Sequence, residues 1–121
     1  MLEIEVDVRS DGTTVVLPIG DLDLSTAPTL RERLLRIVTD AGSDPRVVID
    51  LAGVDFLDTI GLGALLGGVK RCREAGGELA VARAEPQVAA VFTITRVDEV
   101  LPLHGSVESA IEALGSDRDD T

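Results

Sequence analysis

Residues 58–68, DTIGLGALLGG, place a phosphorylatable hydroxyl group at the start of a helix-like segment that is unusually rich in glycine. Leu62, Leu65 and Leu66 in this segment are spaced for one buried helix face. Each glycine inside a helix costs about 1 kcal/mol relative to alanine, so these glycines must serve some purpose. A hydroxyl at a helix start is exposed, and a phosphate on Thr59 would meet free backbone N–H groups and the positive end of the helix dipole.

Three interpretations of this segment compete. In the first, the glycines let the helix pack closely on a sheet, and Asp58 or Thr59 is only an N-cap. In the second, the segment is a phosphate-binding loop, but the dinucleotide pattern requires a glycine where Leu66 stands, and no Gly-Lys-Ser/Thr sequence follows. In the third, the helix start is a regulated docking surface, and the glycines leave a helix flank that another protein can approach. We expect Gly67 to serve packing on the sheet and Gly63 to serve the partner. The residue types leave the first and third interpretations open.

Few other residues offer chemistry. Cys72 continues the apolar helix series and is expected in the core, and His104 is expected in a loop. No nucleophile–base pair is evident, so we expect no enzyme, no metal and no cofactor. Four loop acids could form a cation site, but they are better interpreted as solvated, because no lysine follows the last strand as a phosphoaspartate receiver requires. These acids are Asp21, Asp23, Asp55 and Asp58.

The composition is that of a small acidic domain with an aliphatic core. The chain has 121 residues, a formal charge of −11 from 22 acidic and 11 basic residues, and 2 phenylalanines as its only aromatic residues. This charge disfavours nucleic acid and anionic membranes as partners, and aromatic platforms for single-stranded nucleic acid are missing. The single cysteine, the lack of a leader-like start and the lack of an apolar run of about 18 residues predict a cytoplasmic protein.

The start of the chain predicts a β-hairpin. Residues 2–9 alternate apolar and polar side chains, and Asp11-Gly12 is typical of a tight two-residue turn in which both residues take positive φ. Pro18 has no N–H to donate, so we expect its N–H side to lack a strand partner or to lie at a bulge. Counting outward from the turn gives the pairs Val8–Val15, Val6–Leu17 and Ile4–Ile19.

The rest of the chain alternates helical and strand patterns. The predicted helices cover about residues 28–41, 59–75 and 86–92, with a last one after Ser106; the predicted strands are 47–51, 78–82 and 100–103. Ser25 or Thr26 is expected to cap the first helix, and Ser106 the last. This order predicts an α/β fold, a small mixed and mostly parallel sheet with an N-terminal β-hairpin and flanking helices. The loops 20–28 and 52–60 should then lie at one edge, where the carboxyl ends of the parallel strands meet.

The segment FLDTIGLGALL, residues 56–66, resembles the signature of the STAS domain as found in bacterial anti-sigma factor antagonists. Residues 56–58 match the Phe-apolar-Asp that precedes the phospho-accepting residue in that family, and residues 61–63 match the Gly-Leu-Gly that follows it. The acceptor position, commonly serine, is taken by Thr59, and the next position, commonly small and polar, by Ile60.

A second motif supports this resemblance. GDLDLSTAPTL, residues 20–30, is similar to the family's Gly-acid-apolar-Asp loop before the first helix, with Asp23 at the position used near the acceptor. The AGGEL sequence at 75–79 and the short helix that starts at Pro86 fit as well. The resemblance covers about residues 2–115, so we predict a STAS-like domain over 1–115 and an acidic tail over 116–121.

The resemblance implies reversible switching between protein partners in a bacterial stress response. The unphosphorylated chain would bind an anti-sigma factor with serine/threonine kinase activity, which releases the sigma factor for transcription. Phosphorylation at Thr59 would abolish this binding, and a phosphatase would restore it. The alternative is a STAS subunit that constitutively binds a transport ATPase or another non-sigma partner. The residues expected to contact the partner are Asp21, Asp23, Ser25, Thr26, Asp58, Thr59, Ile60, Gly61, Leu62 and Gly63.

Overall fold

The computed structural model describes residues 1–118, in which helices and strands alternate after an N-terminal hairpin. The last predicted strand lies at Leu103–His104 and not at 100–103, because Leu101 is buried in the core outside the sheet. His104 was expected in a loop, but it pairs with Ala82 of the neighbouring strand. In chain order the elements are β1 (Glu3–Val8), β2 (Thr14–Leu22), α1 (Ala27–Ala41), β3 (Arg46–Asp50), β4 (Val54–Leu57), α2 (Thr59–Glu74), β5 (Glu78–Ala82), α3 (Pro86–Ile94), β6 (Leu103–His104) and α4 (Val107–Arg118), with short 3-10 turns at Leu51–Gly53 and Val97–Glu99.

The sheet has the order β1-β2-β3-β5-β6, and β4 pairs with the distal part of β2. Only the β1–β2 pairing is antiparallel, so the prediction of a mixed, mostly parallel α/β sheet is confirmed. The predicted loops 20–28 and 52–60 are each partly strand, because residues 20–22 belong to β2 and residues 54–57 form β4. Strand β4 has only four residues, and two of them are exposed. A strand this short does not show a clear alternation of apolar and polar residues in the sequence.

The predicted register of the hairpin is wrong by one residue. Val8 pairs with Thr14 and Val6 with Val16, because three residues, 10–12, form the loop. Only Gly12 takes a positive φ there, at +88°, and its amide donates to the carbonyl of Arg9 at 3.0 Å. A three-residue loop of this kind is a type I turn followed by one left-handed residue, and a slip of one residue changes which side chains share a face.

Pro18 lies at a position in β2 where no neighbouring strand needs its missing N–H. The amide of Arg9 donates to the carbonyl of Thr13, so these two residues form a hydrogen-bonded pair of the antiparallel ladder. In such a ladder every second residue turns its N–H and C=O away from the partner strand, and by the register Pro18 of β2 turns its backbone groups away from β1. On that side β3 pairs with residues 14–16 and β4 with residues 20–22. Pro18 therefore falls in the gap between the two neighbouring strands, in agreement with the sequence prediction.

The core consists of two clusters on opposite faces of the sheet. The larger one includes Leu34 of α1, Leu65 of α2 and Phe92 of α3, all buried. The smaller one holds Ala110 and Leu114 of α4 against the other face. Cys72 is buried in the larger cluster, as predicted, and this burial raises the pKa of its thiol to about 12.

The glycines of α2 divide into two groups. A Cβ at Gly61 would lie within 2.6 Å of the backbone carbon of Leu22, and a Cβ at Gly68 would lie 2.9 Å from Cδ1 of Leu34. At Gly63 the nearest atom is Nη2 of Arg31 at 3.9 Å, and at Gly67 nothing lies within 4 Å. Close packing therefore explains Gly61 and Gly68, and the prediction that Gly67 packs on the sheet is wrong.

The ends of the last helices follow the sequence signals. The amide of Gly77 donates to the carbonyl of Cys72 at 2.8 Å, which ends α2 at the predicted Gly76-Gly77 pair. Ser106 caps α4, since its Oγ accepts the amide of Ser109 at 3.0 Å. Helix α4 continues to Arg118, and residues 119–121 of the predicted tail lie outside the described residues.

Candidate functional site

Asp58 joins the two loops that the sequence analysis placed at one edge of the sheet. Its Oδ1 accepts the amide of Gly61 at 2.8 Å and so caps α2. Its Oδ2 accepts the amide of Leu24 from the loop between β2 and α1 at 3.3 Å, and its own amide donates to the carbonyl of Leu22 at 3.1 Å. One carboxylate therefore fixes the start of α2 and the path of the neighbouring loop.

Asp23 organises its own loop. Its Oδ1 accepts hydrogen bonds from the Ser25 hydroxyl at 2.7 Å, the Ser25 amide at 3.0 Å and the Thr26 amide at 3.2 Å. The Ser25 hydroxyl is the main reason why the pKa of Asp23 is lowered from its ordinary value. The predicted side-chain cap by Ser25 or Thr26 is wrong, since the Thr26 hydroxyl donates back to the carbonyl of Asp21 at 2.7 Å.

Thr59 is the first residue of α2 and is exposed. Its hydroxyl makes no hydrogen bond within the part of the chain that the structure describes, whereas the Asp58 carboxylate next to it accepts two backbone amides. The first amides of a helix have no intrahelical acceptors, and an added phosphate would find them and the positive helix end nearby. The fold can therefore accommodate a modification at this hydroxyl without losing an existing contact.

Exposed apolar side chains lie on the segments that meet at Asp58 and Thr59. Leu24 is 70% exposed, Phe56 is 50% exposed and Ile60 is 41% exposed. Leu24 is held beside Asp58 through its amide, and the other two residues lie within two positions of Asp58 in the chain. We call Leu24, Phe56, Asp58, Thr59 and Ile60 the docking surface, because exposed large apolar side chains around a polar centre are typical of protein contact sites.

Several of the predicted contact residues lie inside the protein. Thr26 is 6% exposed, Leu62 is 3% exposed and Gly61 is buried. Any contribution of these three to partner binding is therefore through the position of the loop before α1 and of the start of α2. Sequence reasoning missed Leu24 and Phe56 as surface residues, although a leucine inside the polar turn DLDLST is a signal that could have been used.

The acidic residues near the docking surface make it negatively charged, but they do not form a metal site. Asp21 and Asp55 are exposed, and the backbone carbonyl of Asp55 accepts Nε2 of Gln87 at 3.1 Å. Among the side chains that the structure describes, no three His, Cys, Asp or Glu residues come together as a possible metal site. In the same part of the chain, every helix is too short or too polar to cross a bilayer.

The chain is similar to known proteins in both sequence and fold. Residues 4–110 match the model of the STAS domain. The chain is 28% identical over 112 residues to the anti-sigma-B factor antagonist of Bacillus subtilis, covering 92% of this chain and 100% of that one. It is 26% identical over 113 residues to the anti-sigma F factor antagonist of Paenibacillus polymyxa, covering 93% and 95%. The crystal structure of an anti-sigma factor antagonist from Mycobacterium paratuberculosis superposes with a TM-score of 0.82 at 30% identity and covers 94% of both chains.

Proposed function

The chain belongs to the STAS domain family, and from this premise we propose that it is an anti-sigma factor antagonist controlled by phosphorylation at Thr59. Unphosphorylated, it binds an anti-sigma factor that is also a serine/threonine kinase, and the sigma factor is released. Phosphorylation by that kinase ends the binding, and a phosphatase restores it. The named relatives are anti-sigma factor antagonists, which supports the general role.

The observation that carries this proposal is the position of an exposed hydroxyl within an exposed apolar surface. A phosphate on Thr59 would add about −2 charge among Leu24, Phe56 and Ile60, which a partner must cover. It would also lie beside the Asp58 carboxylate, which already holds two backbone amides. Burying this charge in an interface is unfavourable, so the modification would weaken binding without unfolding the domain.

The charge of the surface supports a basic partner. Asp21 and Asp55 lie in β2 and β4, Asp23 and Asp58 directly follow these two strands, and the whole chain carries −11. Complementary charge mainly raises the rate of association and the salt dependence of binding. The exposed side chain of Ile60, directly after the acceptor, would also contact the kinase and restrict which kinase can act.

The test uses the kinase-fold anti-sigma factors of the same organism as binding partners. Calorimetry should show that the wild type and Thr59→Ala bind the partner and that Thr59→Glu binds it more weakly. Asp23→Ala should remain folded but should bind the partner more weakly or be phosphorylated less. Phosphorylation should weaken binding at least about 100-fold, because burying a phosphate among apolar side chains and beside the Asp58 carboxylate costs several kcal/mol. After incubation with kinase and ATP, mass spectrometry should find one phosphate within residues 55–70.

Thr29→Ala is the matched control, because Thr29 is also an exposed threonine in the first turn of a helix. This variant should be phosphorylated and should bind as the wild type does. Phosphate found only at other residues, such as Ser25 or Ser43, would contradict the assignment of Thr59. Equal binding by the wild type, Thr59→Ala, Thr59→Glu and Asp23→Ala would favour constitutive binding of a transport ATPase or another non-sigma partner.

A further inference from the structure

Strand β1 has one free edge whose hydrogen-bonding groups can be assigned. Among the described residues β1 pairs only with β2. The amide of Arg9 donates to the carbonyl of Thr13 at 2.8 Å, which sets the alternation of the antiparallel ladder. Residues 3, 5 and 7 therefore bond towards β2. The N–H and C=O groups of residues 4, 6 and 8 point away from the sheet, where a further strand could pair with them.

The same residues present apolar side chains beside a cavity. Val6 is 38% exposed and Val8 is 68% exposed, although Val6 lies opposite the fully buried Val16. A cavity of about 310 Å³ lies next to them, with Ile37 and Asp40 of α1 on its other side. On this face of β1, valine side chains and free backbone groups are therefore both open to solvent.

The other face of β1 carries only negative charge. Glu3, Glu5 and Asp7 are all exposed, and Arg9 beyond the strand pairs with Asp7 at 3.1 Å. If two copies of the chain paired through this edge, these carboxylates would face one another across the new ladder. Like charges directly opposite are destabilising, so a second copy is a poor occupant of this edge.

We propose that the free edge of β1 binds an extended segment of a basic partner protein as an additional strand. The segment would alternate apolar side chains, which cover Val6 and Val8, with lysine or arginine side chains, which pair with Glu3, Glu5 and Asp7. Backbone bonds to residues 4, 6 and 8 would supply the affinity common to strand addition. Val8 pairs with Thr14, at the opposite end of β2 from Leu22, so this surface is separate from the docking surface around Thr59.

Hydrogen exchange in the free protein tests the geometry first. The amides of Glu5, Asp7 and Arg9 should be protected, and those of Ile4, Val6 and Val8 should exchange freely. The probe is then a peptide of about eight residues that alternates valine and lysine, with a glutamate-for-lysine peptide as its control. The lysine peptide should protect the amides of Ile4, Val6 and Val8 and bind less tightly as salt rises.

Val6→Pro is the decisive variant. Proline removes an N–H that points to the free edge and blocks that edge, while the bonds of residues 5 and 7 to β2 remain. Val6→Pro should weaken the peptide at least about tenfold, whereas Val6→Ala, which keeps the N–H, should weaken it less. Far-UV circular dichroism of both variants checks that the domain is still folded.

Each contrary result overturns the proposal. Protected amides at Val6 and Val8 in the free protein would mean that the edge is already covered. Lack of binding, equal binding of the glutamate peptide, or unchanged binding by folded Val6→Pro would exclude this strand addition. Concentration-dependent dimerisation that Val6→Pro abolishes would identify a second copy as the occupant. None of these results depends on Thr59, so they leave the proposed switch untouched.

Discussion

Gly61→Ala and Gly67→Ala form a matched pair, because the two glycines lie in the same helix and differ in what surrounds them. A Cβ at Gly61 would lie within 2.6 Å of the carbonyl carbon and 2.9 Å from the Cβ of Leu22. Leu22 is fully buried at the end of β2, and a backbone atom cannot rotate away as a side chain can. At Gly67 the same methyl group would meet nothing within 4 Å.

The magnitudes follow from two opposing effects. Alanine stabilises a helix by about 1 kcal/mol relative to glycine, and overpacking typically costs about 1–3 kcal/mol, the upper end being appropriate where backbone must move. We therefore expect Gly61→Ala to lower the free energy of unfolding by about 2 kcal/mol, and Gly67→Ala to raise it by about 0.5–1 kcal/mol. At about 4 °C per kcal/mol, Tm should fall by about 8 °C in the first and rise by about 2–4 °C in the second.

Far-UV circular dichroism is the suitable probe, because the chain has no tryptophan or tyrosine. Urea and thermal unfolding of both variants at one pH give the free energy of unfolding and Tm. Gly63→Ala serves as a third case, since only Arg31 Nη2, at 3.9 Å, is near, and it should behave as Gly67→Ala does. A Gly61→Ala protein as stable as the wild type, or a destabilised Gly67→Ala, would refute this explanation of the glycines.

Two further predictions concern buried groups. Asp50 is 5% exposed and accepts Nε of Arg83 at 3.0 Å and Nη2 at 2.8 Å, so Arg83→Gln should lower the urea midpoint. The exposed Arg36–Glu32 pair is the control, and an equal effect of Arg36→Gln would contradict the prediction. Burial raises the pKa of Cys72 from 9.0 to about 12, so its thiol should resist iodoacetamide at pH 8 until urea unfolds the chain. Between pH 9 and 12 the thiol ionises in the unfolded chain but not in the folded one, so the free energy of unfolding should fall over this range. Rapid labelling of the folded protein would show that the thiol is accessible and ionised, and would contradict both the resistance to iodoacetamide and this pH dependence.

The sequence predicted those elements whose apolar pattern is long or continuous. Strand β5 and the end of α2 lie where the pattern and the Gly76-Gly77 pair placed them. The hairpin register failed because Asp11-Gly12 fits two turns that differ by one residue. In the structure Oδ1 of Asp11 accepts the amide of Thr13 at 2.9 Å, which stabilises the three-residue loop. A local contact of this size decides the register, and residue types alone do not reveal it.

The candidate site was predictable in its polar centre and unpredictable in its apolar surroundings. Asp58 and Thr59 were found from the motif, and the cap that Asp58 makes is a local hydrogen bond within one helical turn. Leu22 and Leu24 are the same residue type two positions apart, yet the first is fully buried and the second is 70% exposed. The difference arises because β2 ends at Leu22, and Asp58, 34 residues away in sequence, holds the amide of Leu24 at the surface. Exposure of an apolar side chain is therefore set by a tertiary contact, and only the structure reveals which leucine a partner can reach.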